Sequence, residues 1–245
     1  MRVTVVVPTY NEADNIETLL RAVRLAMPRA SVLVVDDASP DGTAARAVAV
    51  HDELGGIEVL HRTSKGGLGA AYRAGLRHAI SAGAEICVQM DADLSHDPDL
   101  LPALVGIVEF GADLAIGSRY VPGGITLNWP RRRRWVSRWG NRYAAGALGL
   151  AVNDVTAGFR AYRSSALERM ELDSVQAGGY GFQIEMTYRI VRLGGRVVEF
   201  PITFQDRTEG ESKFTGSIVR EAFGLVIRLW LADFGGRRRR RAQGG

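Results

Sequence analysis

Cysteine is nearly absent: Cys87 is the only one in 245 residues, which excludes an intrachain disulfide. Its place inside an apolar run points to a buried, inert thiol. Histidine is also scarce, with four in all, and none is spaced as part of a metal-ligand set. His96, near two aspartates, reads as a loop or capping residue, because hard cations prefer oxygen. No uncharged apolar run reaches the roughly 18 residues needed to cross a bilayer, so a membrane-spanning helix is not expected. The stretch Met1 to Val7 lacks the charged, apolar and small-residue regions of a secretion signal, so the chain is expected in the cytosol. No Walker-type phosphate loop occurs. The first strand-to-helix turn also lacks the dinucleotide fingerprint; the glycine-rich stretch Gly66-Gly67-Leu68-Gly69 follows the third strand instead.

What is present is ample apolar content, 46% of residues, enough for one large domain or two small ones. Val3 to Val7, Val32 to Val35, Ile57 to Leu60, Ile86 to Met90 and Asp113 to Gly117 read as strands. The first, a short β-branched run, is of the kind buried on both faces. Between them lie helical patterns. The first is capped by Asn11 and carries Ile16, Leu19, Leu20, Val23 and Met27; Leu68 to Ile80 and Leu100 to Phe110 follow the third and fourth strands. This alternation predicts an α/β fold with a mostly parallel sheet and helices on both faces.

Ligands of such sheets bind beyond the carboxyl ends of the strands. Here those ends carry Pro8-Thr9-Tyr10-Asn11-Glu12, Asp36-Asp37, Arg62 to Gly67, Asp91-Ala92-Asp93 and Ser118-Arg119-Tyr120. Asp91 and Asp93 can supply the carboxylate half of a Mg²⁺ or Mn²⁺ site that substrate phosphates complete. The competing reading is a loop that only caps the next helix. Asp97-Pro98 suits that role but leaves Asp91 and Asp93 unexplained. The rim reads as a nucleotide site in which Tyr10 offers a stacking face and Asp37 pairs with polar atoms of a base or ribose.

After Tyr120 the pattern changes. The formal net charge is only +4, but arginines gather at 131–134 and 237–241. Residues 128–138 hold two tryptophans and five arginines, a mixture suited to single-stranded nucleic acid or to a membrane interface. If this piece is helical, Arg133 and Ser137 share a face and can grip a phosphate together. Asn153 to Arg163 reads as an irregular strand bending at Gly158, and Gly178 to Leu193 as a glycine-led helix. Within that helix Glu185 is either a general base or a residue bordering the core. Val197 to Phe200 reads as a further strand. Thr203 to Phe214 reads as a loop that either closes on phosphates or is simply solvated. Ile218 to Leu231 is apolar but interrupted by charge, so it packs on the domain or lies on a membrane.

Six of these stretches occur together and in one order: Pro8-Thr9-Tyr10-Asn11-Glu12, Val35 to Thr43, Met90 to His96, Gly117-Ser118-Arg119-Tyr120, Asp154 to Arg160 and Gly210-Glu211-Ser212-Lys213. In this the chain resembles the polyprenol-phosphate (dolichol-phosphate) mannose synthases, inverting glycosyltransferases of the GT-A fold, and among them the bacterial, actinomycete-type members. The resemblance covers and implies a catalytic domain over residues 1–215; beyond it the pattern reads as an amphipathic helix over 216–234 and a basic disordered tail over 235–245. It implies that Pro8, Tyr10, Glu12, Val35 and Asp37 hold the guanosine of GDP-mannose. Asp91, Ala92 and Asp93 would meet the diphosphate and its Mg²⁺ or Mn²⁺, with Ser95 standing where some relatives place a metal-binding glutamine. Arg207 and Lys213 would close on the donor phosphates. Arg119, Arg133 and Ser137 would hold the phosphate of a polyprenyl monophosphate, with Arg119 also counted, beside Asp91 and Asp93, among the groups that stabilise the reaction.

An acceptor phosphate that is already anionic needs no general base, which removes that role from Glu185. Longer members of the family append transmembrane helices. Here 218–231, the tryptophans and the arginine runs are expected to hold the protein at an anionic membrane surface on the cytoplasmic face, alone or with a membrane-protein partner. A UDP-sugar donor such as UDP-glucose is the alternative within the same fold. A non-catalytic nucleic-acid-binding protein is disfavoured, because carboxylates at the strand ends repel phosphate unless a cation intervenes.

Overall fold

The computed structural model describes residues 1–205 and 223–231, and it shows why the first two strands are apolar along most of their length. In β1 (Val3–Thr9), Val3, Val5 and Val7 face one core and Val6 faces another. In β2 (Ser31–Asp36), Val32 and Val34 face the first core while Leu33 and Val35 face the second. Side chains alternate across a pleated sheet, so a strand with helices on both sides needs apolar residues at every position.

The remaining elements, in chain order, are α1 (Ile16–Ala26), α2 (Thr43–Leu54), β3 (Ile57–His61), α3 (Leu68–Ser81), β4 (Ile86–Gln89), α4 (Leu101–Glu109), β5 (Leu114–Ser118), β6 (Ile125–Leu127), α5 (Arg131–Leu148), β7 (Arg160–Arg163), α6 (Ser164–Arg169), α7 (Gly179–Arg192), β8 (Val197–Pro201) and β9 (Thr203–Gln205). A last helix, α8, spans 223–231. One core packs Ile16, Ala47 and Leu104 from α1, α2 and α4. The other packs Tyr72, Ala144, Phe182 and Leu225 from α3, α5, α7 and α8.

Seven strands form the central sheet in the order β3-β2-β1-β4-β7-β5-β8. All pairings are parallel except those of β7, which is antiparallel to both β4 and β5. The expected α/β architecture with a mostly parallel sheet is therefore present. A second, two-stranded parallel sheet joins β6 to β9.

Two local expectations change. Asn11 does not cap α1, which begins at Ile16 after Asn15; Asn11 instead takes a left-handed conformation (φ 58°), and its N–H donates to Ser39 Oγ at 3.1 Å. Of the stretch Asn153 to Arg163 only Arg160–Arg163 is strand. Because β7 runs opposite to β4, pairing Gln89 with Arg160, the loop before β7 arrives at the rim where β4 ends. The sequence pattern shows the bend but not the strand's direction. Cys87 is buried as expected, and burial pushes its thiol up to about 11, which keeps it in the inert, protonated form.

Candidate active site

The carboxyl ends of β1, β2 and β4 are each followed by a non-glycine residue in the left-handed region: Asn11, Ala38 and Leu94, all at φ 58°. Such conformations cost of order 1–3 kcal/mol and persist only where their surroundings over-determine them. Here hydrogen bonds supply that constraint. Asp36 accepts from the Thr9 hydroxyl (3.0 Å), the Ser39 hydroxyl (2.6 Å) and the Ser39 N–H (2.9 Å). Asp41 accepts from the Thr43 hydroxyl (2.6 Å), the Thr43 N–H and the Ala13 N–H (3.0 Å each), and Thr43 Oγ1 accepts from the Glu12 N–H at 3.0 Å. Burial would raise the Asp41 carboxyl, but these donors hold it below the usual carboxylate range. Asp36, Ser39, Asp41 and Thr43 thus stitch the β1 and β2 end loops together. In the sequence they stand out only as part of the Val35 to Thr43 motif.

On this frame sit the residues assigned to the nucleotide. Pro8 lies in β1 beside buried Val35. The Tyr10 ring is 37% exposed, and the Lys65 ammonium stands 3.8 Å from its centroid. Asp37 is buried; Arg62 donates to its Oδ1, and the Gly66 N–H donates to Oδ2 at 3.0 Å. Asp37 therefore ties down the loop that carries Lys65. Glu12 accepts from the Asn15 amide at 3.1 Å.

Further along the rim, at the end of β4, come the two central carboxylates. Asp91, whose side chain is 27% exposed, accepts the hydroxyl of Tyr72 on Oδ1 at 2.7 Å. Burial first, and then the charge of Asp91, keep that hydroxyl protonated far above its ordinary range, so Tyr72 is a fixed donor. Gly158, in the loop before β7, packs on the other side: a Cβ there would stand 3.1 Å from Asp91 Oδ2. Asp93 Oδ1 accepts from the Ser95 hydroxyl (2.6 Å) and the Ser95 N–H (3.1 Å). Ala92 is buried between them. Asp97 accepts from the Asp99 N–H at 3.0 Å ahead of Pro98, the capping role read from sequence. His96 is not part of that cap. It is buried, stacked on Phe159 with centroids 5.0 Å apart and set edge-on to Phe204 at 5.5 Å.

A second cluster begins where β5 ends. Arg119 is buried and grips Asp154 through Nε and one terminal nitrogen, both at 2.7 Å; its backbone N–H also donates to Asp154, at 3.0 Å. Complete burial pushes the Asp154 carboxyl upward, but the Arg119 charge and hydrogen bonds outweigh it and hold the group below the usual range. The guanidiniums of Arg119 and Arg133 stand 5.4 and 4.1 Å from the Trp129 ring. Tyr120, flanked by Arg119 and Arg138 at 5.3 Å each, donates its hydroxyl to Ser137 at 2.6 Å. The three residues expected to meet an acceptor phosphate are thus joined through two aromatic rings. Asn141 anchors α5 to the pre-β7 loop, its amide donating to Thr156 Oγ1 at 3.0 Å and its carbonyl accepting from the Thr156 N–H at 3.1 Å.

The two clusters meet through β9, where the Gln205 N–H donates to the Ser95 carbonyl at 3.4 Å. Arg207, Lys213 and the arginine run 237–241 lie outside the described residues. Glu185 serves the fold: it accepts from Arg189 at 2.7 Å and from the Ala177 N–H at 3.1 Å, holding the turn before α7. Tyr72, Asp154 and Asn141 are the contributors that sequence reasoning missed. Tyr72 sits in an ordinary apolar helical pattern, and Asp154 lies inside a family motif that gave it no role.

Among the described residues no three His, Cys, Asp or Glu side chains gather as a closed metal site. Two partly exposed carboxylates suit a hard cation whose other ligands come from substrate oxygens.

A family model described as glycosyl transferase family 2 matches residues 4–170. The chain belongs to that family. Within it the chain is 50% identical over 232 residues to an undecaprenyl-phosphate mannosyltransferase of Micrococcus luteus, covering 95% of each chain. It is 49% identical to a polyprenol monophosphomannose synthase of Mycolicibacterium smegmatis, covering 92% of this chain and 85% of that one. These similarities place it among the polyprenyl-phosphate mannosyltransferases. Two solved structures share the GT-A fold. Glucosyl-3-phosphoglycerate synthase of Mycobacterium tuberculosis, solved with Mn²⁺, UDP and phosphoglyceric acid, has a TM-score of 0.71 at 22% identity over 94% of this chain and 78% of that one. A mannosyltransferase of Pyrobaculum calidifontis, solved with GDP-mannose and Mn²⁺, has a TM-score of 0.63 at 24% identity over 93% of this chain and 64% of that one.

Proposed function

We propose that this protein transfers mannose from GDP-mannose to a polyprenyl monophosphate with inversion at the anomeric carbon, using Mg²⁺ or Mn²⁺. The observation that carries the reading is the Asp91–Asp93 pair, held by Tyr72 and Ser95 at the end of β4 and linked through Ser95 and β9 to the Arg119–Trp129–Arg133 cluster. The names of the relatives support the donor sugar and the acceptor class.

In this reading Pro8, Tyr10, Glu12, Val35 and Asp37 seat the guanosine, and Asp91, Ala92 and Asp93 receive the diphosphate and its cation. Ser95 fixes the orientation of Asp93. A cation at the carboxylates would draw negative charge from the departing GDP. Arg119, Arg133 and Ser137 hold the lipid phosphate, one of whose oxygens forms the new bond to the anomeric carbon while the bond to GDP breaks and its electron pair leaves with GDP. No proton has to be removed from the acceptor, and Glu185 is committed to Arg189. Arg207 follows two residues after Gln205 in sequence and is assigned, with Lys213, to the donor phosphates.

The protein is further assigned to the cytoplasmic face of a membrane as a peripheral enzyme, with 1–215 as the catalytic unit. Support comes from α5 and α8, which pack through Tyr143 and Phe223 with ring centroids 4.3 Å apart. Leu225 and Val226 enter the core, while Trp135, Trp139, Ile227, Trp230 and Leu231 remain exposed beside the arginines of α5. Among the described residues no helix is long and apolar enough to cross a membrane. Tryptophan and arginine together suit the headgroup region.

The test incubates the protein with labelled GDP-mannose, UDP-glucose or UDP-N-acetylglucosamine and a short polyprenyl phosphate, with and without EDTA. Mannolipid formed only from GDP-mannose and abolished by EDTA is expected. Transfer from a UDP-sugar instead refutes the donor, and transfer that persists in EDTA refutes the metal.

A further inference from the structure

His96 is 3% exposed, yet neither ring nitrogen has a hydrogen-bond partner among the described residues. Buried polar atoms in native proteins nearly always find partners, and an exception calls for a reason. Packing does not supply one here. The ring lies on Phe159 and against Phe204, surroundings that phenylalanine would fill without stranding two nitrogens. What singles the imidazole out is its direction: Nε2 stands 3.6 Å from Asp91 Oδ2, just beyond hydrogen-bond reach. Asp91 Oδ1 already accepts from Tyr72, and Oδ2 lies on the side of Gly158, where a Cβ would come within 3.1 Å.

We infer that His96 is a positioning residue for Asp91: its Nε2–H donates to Asp91 Oδ2 when the cation is bound, so that Tyr72 and His96 together fix the plane of the carboxylate. The inference rests on the proposed metal role of Asp91. Ligating carboxylates are commonly held in this way by outer partners, and loss of such a partner typically weakens metal binding about 10–100-fold. The role requires only a hydrogen on Nε2, which is shared with the carboxylate and does not leave the ring.

The test measures Mn²⁺ affinity by electron paramagnetic resonance, with GDP present, in the wild type and in His96→Gln, His96→Asn, His96→Phe and Asp91→Ala, with the melting temperature of each. A glutamine amide extends to the place of Nε2, whereas an asparagine amide stops at that of Nδ1. His96→Gln is expected to stay within about 3-fold of the wild type, and His96→Asn and His96→Phe to bind at least about 10-fold more weakly. His96→Phe should melt at or above the wild-type temperature, because it buries no polar atom. If His96→Phe proves unstable, the Gln and Asn variants, which differ only in reach, decide the question. Wild-type Mn²⁺ affinity in His96→Phe or His96→Asn, or equal weakening in His96→Gln, overturns the inference while leaving the metal role of Asp91 intact. Absence of Mn²⁺ binding by the wild type, or unchanged binding in Asp91→Ala, overturns both.

Discussion

The carboxylate rim at the end of β4 and the arginine cluster between β5 and α5 hold opposite charges by opposite means. Asp91 and Asp93 are partly exposed and oriented by neutral donors, the Tyr72 and Ser95 hydroxyls. These aim the oxygens without cancelling their charge. Arg119 is buried and neutralised by Asp154, while Arg133 lies against the face of Trp129, where the ring quadrupole steadies a cation without neutralising it. A site meant to receive a cation can keep its negative charge at a solvated rim. A buried arginine has to be compensated before any phosphate arrives. Activity at the rim should therefore depend on orientation, and integrity of the second cluster on one ion pair.

The largest effect should come from breaking that pair. Asp154→Ala leaves the Arg119 guanidinium buried without its carboxylate and is expected to cost about 3–5 kcal/mol of stability, measured by urea denaturation. The same pair sets a pH dependence. The folded-state carboxyl of Asp154 lies below the usual range, so its contribution is present above the unfolded value of about 3.9 and is lost as pH falls through the lower folded value. Acid unfolding followed by circular dichroism should be less steep in Asp154→Asn.

Next in size, Asp91→Asn keeps the acceptor atom for Tyr72 but removes the charge. It should reduce kcat/KM about 100-fold or more with little change in melting temperature. An unaltered rate would show that the rim is not where negative charge is needed. Arg133→Ala should raise KM for the lipid phosphate about 10-fold, the worth of one charge-assisted contact, with donor KM unchanged. If donor KM rises instead, the division of the two regions between substrates is wrong. The smallest change is expected from Tyr72→Phe, which removes one hydroxyl and should lower kcat about 3–10-fold through looser orientation of Asp91.

Much of the rim was legible because strands buried on both faces announce themselves as apolar runs, and the polar residues just after each run must lie at the same edge of a parallel sheet. That logic located Tyr10, Asp37 and Asp91 to Asp93. It misplaced the start of α1, since Asn11 looks like a cap but takes a left-handed turn imposed by Ser39 and its neighbours. It was silent on Tyr72, whose hydroxyl reaches Asp91 from a helix that reads as ordinary core, and on the packing of His96. The sequence reads that histidine as a loop or capping residue; it lies in the loop, and only packing shows it enclosed by Phe159 and Phe204.

The sequence by itself determined the alternation of elements, the family motifs, the strand-end carboxylates and the inert Cys87, because each depends on residues close together in the chain. Tertiary structure alone decided that β7 runs backwards between β4 and β5, that the loop before it brings Gly158 against Asp91 and Asp154 against Arg119, and that β9 joins the two clusters at Ser95. Those contacts pair residues 35 to more than 100 positions apart, and no local periodicity encodes a partner at that distance.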